Sequence, residues 1–396
     1  MVHFRLRMIA SIALGLVACG ATAAAATGAG GPNQHFRVIV SGLNNPRSLA
    51  SGPGEILVSE AGTGGPYCSG EGGNKICFGQ SGAIAGIRVG SAKTTVSTVM
   101  GGLISVGASS GVTGPDGVAY SSSTHHIYTV ETGSSAIVPP GLPPELAVQA
   151  YNQLGRVLDV TPGQGSEFSV VGDPGEYDYA WSNLHKSLAP KDLPDANPYA
   201  LLVASNTIYL RDAAFVVDAG SNTLDVVVNG QNSGPPAVGG LVRVIAFIPN
   251  ASVGDGVPTC IAQGKDRMFY IGELTAAGNK AGSAKVYRWN PFGQSQQLTV
   301  WQKGFSAITG CGFGTNGDFY VTEFNTTGFP PKGTPAGAVV QIAPDGKRTV
   351  LGQGKLFAPS GFLAGPGGSF YVADWSVAAG TSTHGSPPGQ VVQITL

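Results

Sequence analysis

APSGFLAGPGGSFYVADW, residues 358–375, reads as two short strands joined by a tight turn. Gly361 to Ala364 is apolar, Gly-Pro-Gly-Gly supplies the turn, and Ser369 to Ala373 is a second strand closed by Asp374. The chain repeats this unit. ITGCGFGTNGDFYVTEF (Ile308–Phe324) nearly matches it. PRSLASGPGEILVSEAG from Pro46, PDGVAYSSSTHHIYTVETG from Pro115 and PTCIAQGKDRMFYIGEL from Pro258 follow the same plan, and a diverged copy runs from Pro198 to VVDAG, ending at Gly220. Six copies at a period of roughly 40–50 residues, each a few strands long, are the pattern of propeller blades.

The expected fold is all-β, a six-bladed β-propeller. Phe36–Val40 (FRVIV) precedes the first copy, and the last copy stops at its third strand, Val391–Leu396 (VVQITL). Pairing of these N- and C-terminal strands in one blade closes the ring and removes free sheet edges. The strands alternate weakly, with runs such as AFVVD and GAVVQI, as sheets covered on both faces do. A parallel β-helix is the rival fold, but its rungs would be shorter and more even than these spacings.

Two insertions and one connection interrupt the repeats. CSGEGGNKIC (Cys68–Cys77) lies between the second and third strands of the first copy. Ser134–Gln153 in the second copy contains PPELAVQAYNQLG, the one segment with a helical pattern. Asp173–Asn197 reads as a long loop carrying Tyr177, Tyr179, Trp181, His185, Lys186 and Lys191. Loops of that length in compact folds usually carry function.

Composition narrows the classes. Apolar residues make up 42%, enough for a packed core, while 61 Gly and 27 Pro punctuate turns. Charged residues are 11% and the net charge is −1, with no basic stripe, which argues against a nucleic-acid partner. Met1–Ala26 reads as an export signal, with Arg5 and Arg7 ahead of an apolar stretch too short to span a bilayer. Two processing routes remain open. Leu16-Val17-Ala18-Cys19 matches a lipoprotein box, with a signal over 1–18 and lipidation at Cys19; Ala21-Thr22-Ala23 and Ala24-Ala25-Ala26 suit ordinary signal peptidase. Residues 27–35 form a flexible leader and 36–396 the propeller, a secreted or extracytoplasmic monomer without a transmembrane segment. In that oxidising setting Cys68 and Cys77 are expected to form a local disulfide. Cys260 and Cys311 fall on inner strands of consecutive copies, four and three residues before Gly264 and Gly314. They should face opposite sides of the sheet, as two buried thiols, with a bridge as the alternative.

GLNNPRSLASGPGEILVSEAGTGG, GPDGVAY, QLGRVLDV, DANPYALL, the DAG at 218–220, VPTCIAQG with FYIGELT, and the closing APSGFLAG with YVADW resemble the ScyD/ScyE family over nearly the whole chain from Phe36. These are secreted propellers named for association with biosynthesis of the pigment scytonemin. Ser48 and Ala200 stand where that pattern has Gly. More remotely, the YVAD-type strand endings are similar to NHL repeats and to SMP-30/gluconolactonase propellers. The resemblance implies an accessory or binding role and carries over no catalytic residue.

Every copy ends its second strand on a carboxylate: Glu60, Glu131, Asp218, Glu273, Glu323 and Asp374. In a propeller this end of each blade shares a face with the entry into the inner strand, so Arg47, Asp116, Tyr199, Thr259 and Ser360 should form a second ring beside them. Two roles compete for the carboxylates. A carboxylate followed by Ala-Gly or Thr-Gly is a turn cap accepting backbone N–H bonds, and six-fold repetition favours that reading. Alternatively, Glu60, Asn197, Asp218 and Glu273 would hold calcium or another divalent cation, with Asn44, Asn45 and Asn325 offering neutral oxygens. Such an ion could activate water against a lactone or ester. The histidines assemble nothing: His125 and His126 sit at a turn, His185 in the long connection and His384 in a hairpin loop, with no metalloprotease, nucleophile-elbow or phosphate-loop spacing. The function expected is binding of a small molecule, glycan or protein; a metal-dependent hydrolase of the lactonase or esterase type is the alternative.

Overall fold

Each repeat unit forms the inner two strands of its own sheet. Pro46–Ser51 pairs with Ile56–Glu60, Pro115–Tyr120 with Ile127–Glu131, and Pro198–Ala204 with Ala213–Asp218. Pro258–Gln263 pairs with Phe269–Glu273, Ile308–Phe313 with Phe319–Glu323, and Phe362–Ala364 with Phe370–Asp374. Outer strands complete the sheets, giving a six-bladed β-propeller. The computed structural model describes residues 34–396 apart from 91–92, 109–110, 164–167, 205–212, 229–239, 251–253, 276–279, 294–296, 332–333 and 380–386. The expected signal, both cleavage routes, Cys19, most of the leader and His384 lie outside the described residues.

The sheets are antiparallel meanders, which removes the parallel β-helix. Their core sits between blades. Leu57, Ile84 and Leu103 of the first blade meet Val118, Ile127 and Leu158 of the second, and comparable clusters fill the other interfaces. Both faces of a blade are therefore buried, and the weak alternation of the strands follows from this.

The last blade takes its outer strand from the other end of the chain. His35–Leu43 runs antiparallel to Gly389–Thr395, with Phe36 opposite Ile394 and Val38 opposite Val392. Ile39, 8% exposed, enters the cluster that joins the last blade to the first through Tyr371 and Val391. The clasp foreseen from FRVIV and VVQITL is present.

The first blade overruns the ring. Its strands Ile76–Val89 and Thr94–Ala108 are 14 and 15 residues long, and Tyr67–Ser69 and Gly111–Thr113 pair onto their extension. Cys68 lies directly opposite Cys77 and is bonded to it, S–S 2.05 Å, as expected. Helix α1 (Pro144–Gln153) lays Leu146 and Ala150 against Ile76, Phe78, Ile104 and Val106 of this extension. Gln153 Oε1 accepts a hydrogen bond from the Ile104 N–H at 2.7 Å.

Two expectations need correction. The connection from Asp173 is not a bare loop: Pro174–Leu184 is a second helix, α2, packed on the third blade. Asp173 caps it, accepting from the Glu176 N–H at 3.0 Å, with Pro174 in its first turn. The second correction concerns the remaining cysteines, which are not free thiols. Cys260 and Cys311 form a disulfide, S–S 2.07 Å. The expected parity is right, since Cys260 pairs with Gly272 in its blade while Gly310, one residue before Cys311, holds the matching place in the next. Neighbouring blades, however, stack face to face. Opposite faces of consecutive sheets point at each other, and the sulfurs meet.

Two disulfides fit an oxidising, extracytoplasmic compartment. Among the described residues no helix is long and apolar enough to cross a membrane.

Candidate functional site

The six inner strands and the residues leading into them line a cavity of about 320 Å³ along the centre of the ring. Its polar end is built from the entry residues named from sequence: Arg47, Asp116, Tyr199, Thr259 and Ser360, joined by Thr309. Close approach of the strands sets its walls. A Cβ on Gly117 would meet the Leu201 backbone of the next blade at 2.9 Å, and one on Gly361 would meet the Arg47 carbonyl oxygen at 2.7 Å. Ser48 and Ala200 occupy the matching positions of the first and third blades.

Hydroxyl groups stitch one blade to the next around this centre. Ser59 donates to the Asp116 carbonyl at 2.7 Å. Thr259 donates to the Ile308 carbonyl at 2.6 Å, and Thr309 to that of Pro359 at 2.7 Å. The last blade meets the first through the Gly361 N–H, which donates to the Arg47 carbonyl at 2.7 Å. The protons of Ser59, Thr259 and Thr309 are therefore committed to main-chain acceptors and hold the ring together.

One ion pair breaks the symmetry. Arg47 and Asp116, each 3% exposed, stand with Nε 3.2 Å from Oδ1. Arg47 Nη2 donates to the Val112 carbonyl at 2.6 Å, and Thr132 donates a very short hydrogen bond to Asp116 Oδ2. Nε and Oδ1 pair with each other alone, and the buried Arg47 Nη1 has no hydrogen-bond partner. Burial pushes Asp116 up to about 6, against the opposing pull of Arg47 and Thr132. Beside it Glu131 is wholly buried with both carboxyl oxygens unpartnered, and burial, then the Asp116 charge, holds it well above the usual carboxylate range.

The six strand-ending carboxylates do different jobs. Glu60 accepts from the Asn44 N–H at 2.6 Å, Glu323 from that of Ser306 at 2.8 Å, and Asp374 from that of Phe357 at 2.7 Å. Asp218 Oδ1 takes three N–H groups: Asn197 at 2.7 Å, and Gly220 and Ser221 at 2.8 Å. These four cap the turn into the inner strand of their own blade. Glu273 is different, paired with Lys285 Nζ at 3.2 Å and accepting from the Tyr287 hydroxyl at 3.0 Å. Of the four residues named for a cation, Asn197 and Asp218 touch; Glu60 and Glu273 belong to the first and fourth blades. Among the described residues no three His, Cys, Asp or Glu side chains form a metal-holding group.

Sequence reasoning missed a buried acidic trio. Asp178 of α2 stands between Asp218 and Asp225, hydrogen-bonded to both, and all three are fully buried. Ionised together, each would leave one oxygen without a partner. Burial and mutual repulsion instead raise Asp178 and Asp225 well above the ordinary Asp range, so protons let them donate to their neighbours. The signal was available: Asp173-Pro174-Gly175-Glu176 is a helix start, and it places Asp178 on a definite face.

Comparisons with family models and with curated proteins returned no match. Solved structures are similar in shape. A calcium-containing carbohydrate-active enzyme of family AA12 from Trichoderma reesei superposes with TM-score 0.54 and 12% identity, over 92% of this chain and 96% of that one. A PQQ-bound aldose sugar dehydrogenase from Streptomyces coelicolor gives 0.51 and 12% identity, over 93% and 100%. A gluconolactonase from Xanthomonas campestris gives 0.50 and 9% identity, over 92% and 90%. The likeness is one of fold. At these identities it establishes the propeller and leaves the chemistry of the channel to be argued from its own residues.

Proposed function

We propose that this propeller is an extracytoplasmic, non-enzymatic binding or accessory protein that holds a small polar molecule in its central channel. The observation that carries the reading is the buried Arg47–Asp116 pair, which lines a cavity of about 320 Å³ and leaves Arg47 Nη1 without a partner. A buried polar atom without a partner costs about 1–3 kcal/mol, and a ligand that pairs with it recovers that cost. Commitment of Ser59, Thr259 and Thr309 to inter-blade bonds supports a role without covalent chemistry. The ScyD/ScyE resemblance agrees with an accessory role outside the cytoplasm, and the two disulfides agree with that compartment. A thermal-shift screen of the mature chain against small polar molecules tests the reading. Hits are expected that Asp116→Asn abolishes; no hit, or hits indifferent to that change, would remove it.

A second reading is a metal-dependent lactonase or esterase using Glu60, Asn197, Asp218 and Glu273. What favours it is that enzymes of sugar and lactone chemistry share the fold. Against it, Glu60 and Glu273 already have partners within their own blades.

A further inference from the structure

We infer that the channel recognises a neutral polyol, through adjacent hydroxyl groups set against the Arg47–Asp116 pair; this rests on the channel being the binding site. The two side chains at the polar end are of opposite kinds. Arg47 can only donate, and its Nη1 has no partner; Asp116 accepts, with Oδ1 3.2 Å from Nε as the other half of the ion pair. A ligand group that satisfies both must accept and donate at neighbouring points. Vicinal hydroxyls do this: one oxygen accepts from the guanidinium while the next hydroxyl donates to the carboxylate.

Charged ligands fit worse. A carboxylate would pair with Arg47 but place a second negative charge beside Asp116, in a site where both side chains are 3% exposed. An ammonium group would pair with Asp116 and be repelled by Arg47. At short range and away from water such like-charge contacts cost several kcal/mol. A neutral donor–acceptor group meets neither penalty. The remaining wall supplies further polar contact at the same end through Tyr199 and Ser360, with Leu49, Val118 and Ile261 on the inner strands beyond. Polar residues at both ends of the strands, Ser51, Tyr120 and Gln263 opposite the entry ring, with apolar side chains between them, suit a sugar-sized ring, whose hydroxyl edges are polar and whose C–H faces are not. The cavity volume of about 320 Å³ admits one such ring.

The test is isothermal titration of the mature chain with four probes at one pH: myo-inositol, glycerol, propionate and propylammonium. The expected result is binding of the polyols at least tenfold tighter than of either ion. Asp116→Asn and Arg47→Lys, each checked for a cooperative melt, should weaken polyol binding at least tenfold. The comparison of probes on the unaltered chain stands even if both variants misfold. Binding of propionate or propylammonium in preference to the polyols overturns the polyol assignment and leaves channel binding in place. Binding of none of the four overturns both. Polyol binding that survives both folded variants unchanged moves the site away from the pair and overturns the assignment.

Discussion

Cys260 and Cys311 lie on opposite faces of their own blades, and for that reason they face each other. Consecutive blades stack like pages, so a residue on the leading face of one meets a residue on the trailing face of the next. The same contact between the second and third blades is made by Gly117 and Leu201, whose backbone a Cβ on Gly117 would touch at 2.9 Å. The disulfide ties the fourth blade to the fifth at the channel wall.

This bond should stabilise the ring more than the one in the first blade. Loop-closure entropy gives about 4 kcal/mol for the 51-residue separation of Cys260 and Cys311 and about 2.5 kcal/mol for the 9-residue separation of Cys68 and Cys77. Urea unfolding of Cys260→Ser/Cys311→Ser and of Cys68→Ser/Cys77→Ser measures both. A larger loss in the second double variant would contradict the assignment.

The clasp should be a point of failure for the whole ring. Ile39 is buried between the last and first blades, and Ile39→Ala should cost about 2–5 kcal/mol by leaving a cavity there. Removal of residues 34–43 should expose the edge of Gly389–Thr395 and promote association, read by light scattering. An unchanged melt and a clean monomer after that truncation would show that the ring closes without the strand.

Strand-ending carboxylates should respond unequally to substitution. Asp218→Ala leaves three buried N–H groups without an acceptor, and at about 1–3 kcal/mol each it should abolish or gravely weaken folding. Glu131→Gln should change stability by less than about 1 kcal/mol, because neither carboxyl oxygen accepts a bond and burial already keeps the group neutral. Thermal melts of the two variants decide the matter; equal effects would mean that the carboxylates form one functional ring.

Stability should fall as pH rises. Asp178 and Asp225 are held well above the ordinary Asp range, and Glu273, Glu323 and Asp374 are pushed up to about 7, each chiefly by burial. A raised carboxyl keeps its proton in the folded state where the unfolded chain has released it. Its contribution is complete below the unfolded value near 4 and is lost as pH climbs through the folded one. The melting temperature should therefore be higher at pH 5 than at pH 8, with a shallower slope in Asp178→Asn. A melt that rises toward pH 8 would contradict the protonated trio.

The repeat made most of the fold legible. One turn and one closing carboxylate, said six times, gave the blade number, and FRVIV with VVQITL gave the closure. Relations between blades were harder to read, because a repeat describes what happens inside a unit. The Cys260–Cys311 bridge, the Thr259 and Thr309 stitches and the trio of Asp178, Asp218 and Asp225 each join residues from different units or from an insertion. The entry residues were correctly gathered at one end of the channel. That Arg47 and Asp116 alone would form an ion pair there depends on which blades are neighbours and on how deeply each side chain is buried. Glu60 and Glu273 were grouped by their shared position in the repeat, yet the first and fourth blades supply each with local partners of its own.

The most direct measurement of the central claim, binding without turnover, is an NMR time course of glucono-lactone and myo-inositol with the mature chain, in chelator and then in excess calcium. Binding without turnover predicts line broadening of myo-inositol that Asp116→Asn removes, and lactone loss at the buffer rate in both conditions. Calcium-dependent acceleration of lactone hydrolysis, abolished by Glu273→Gln with the fold intact, would contradict it and make the protein an enzyme.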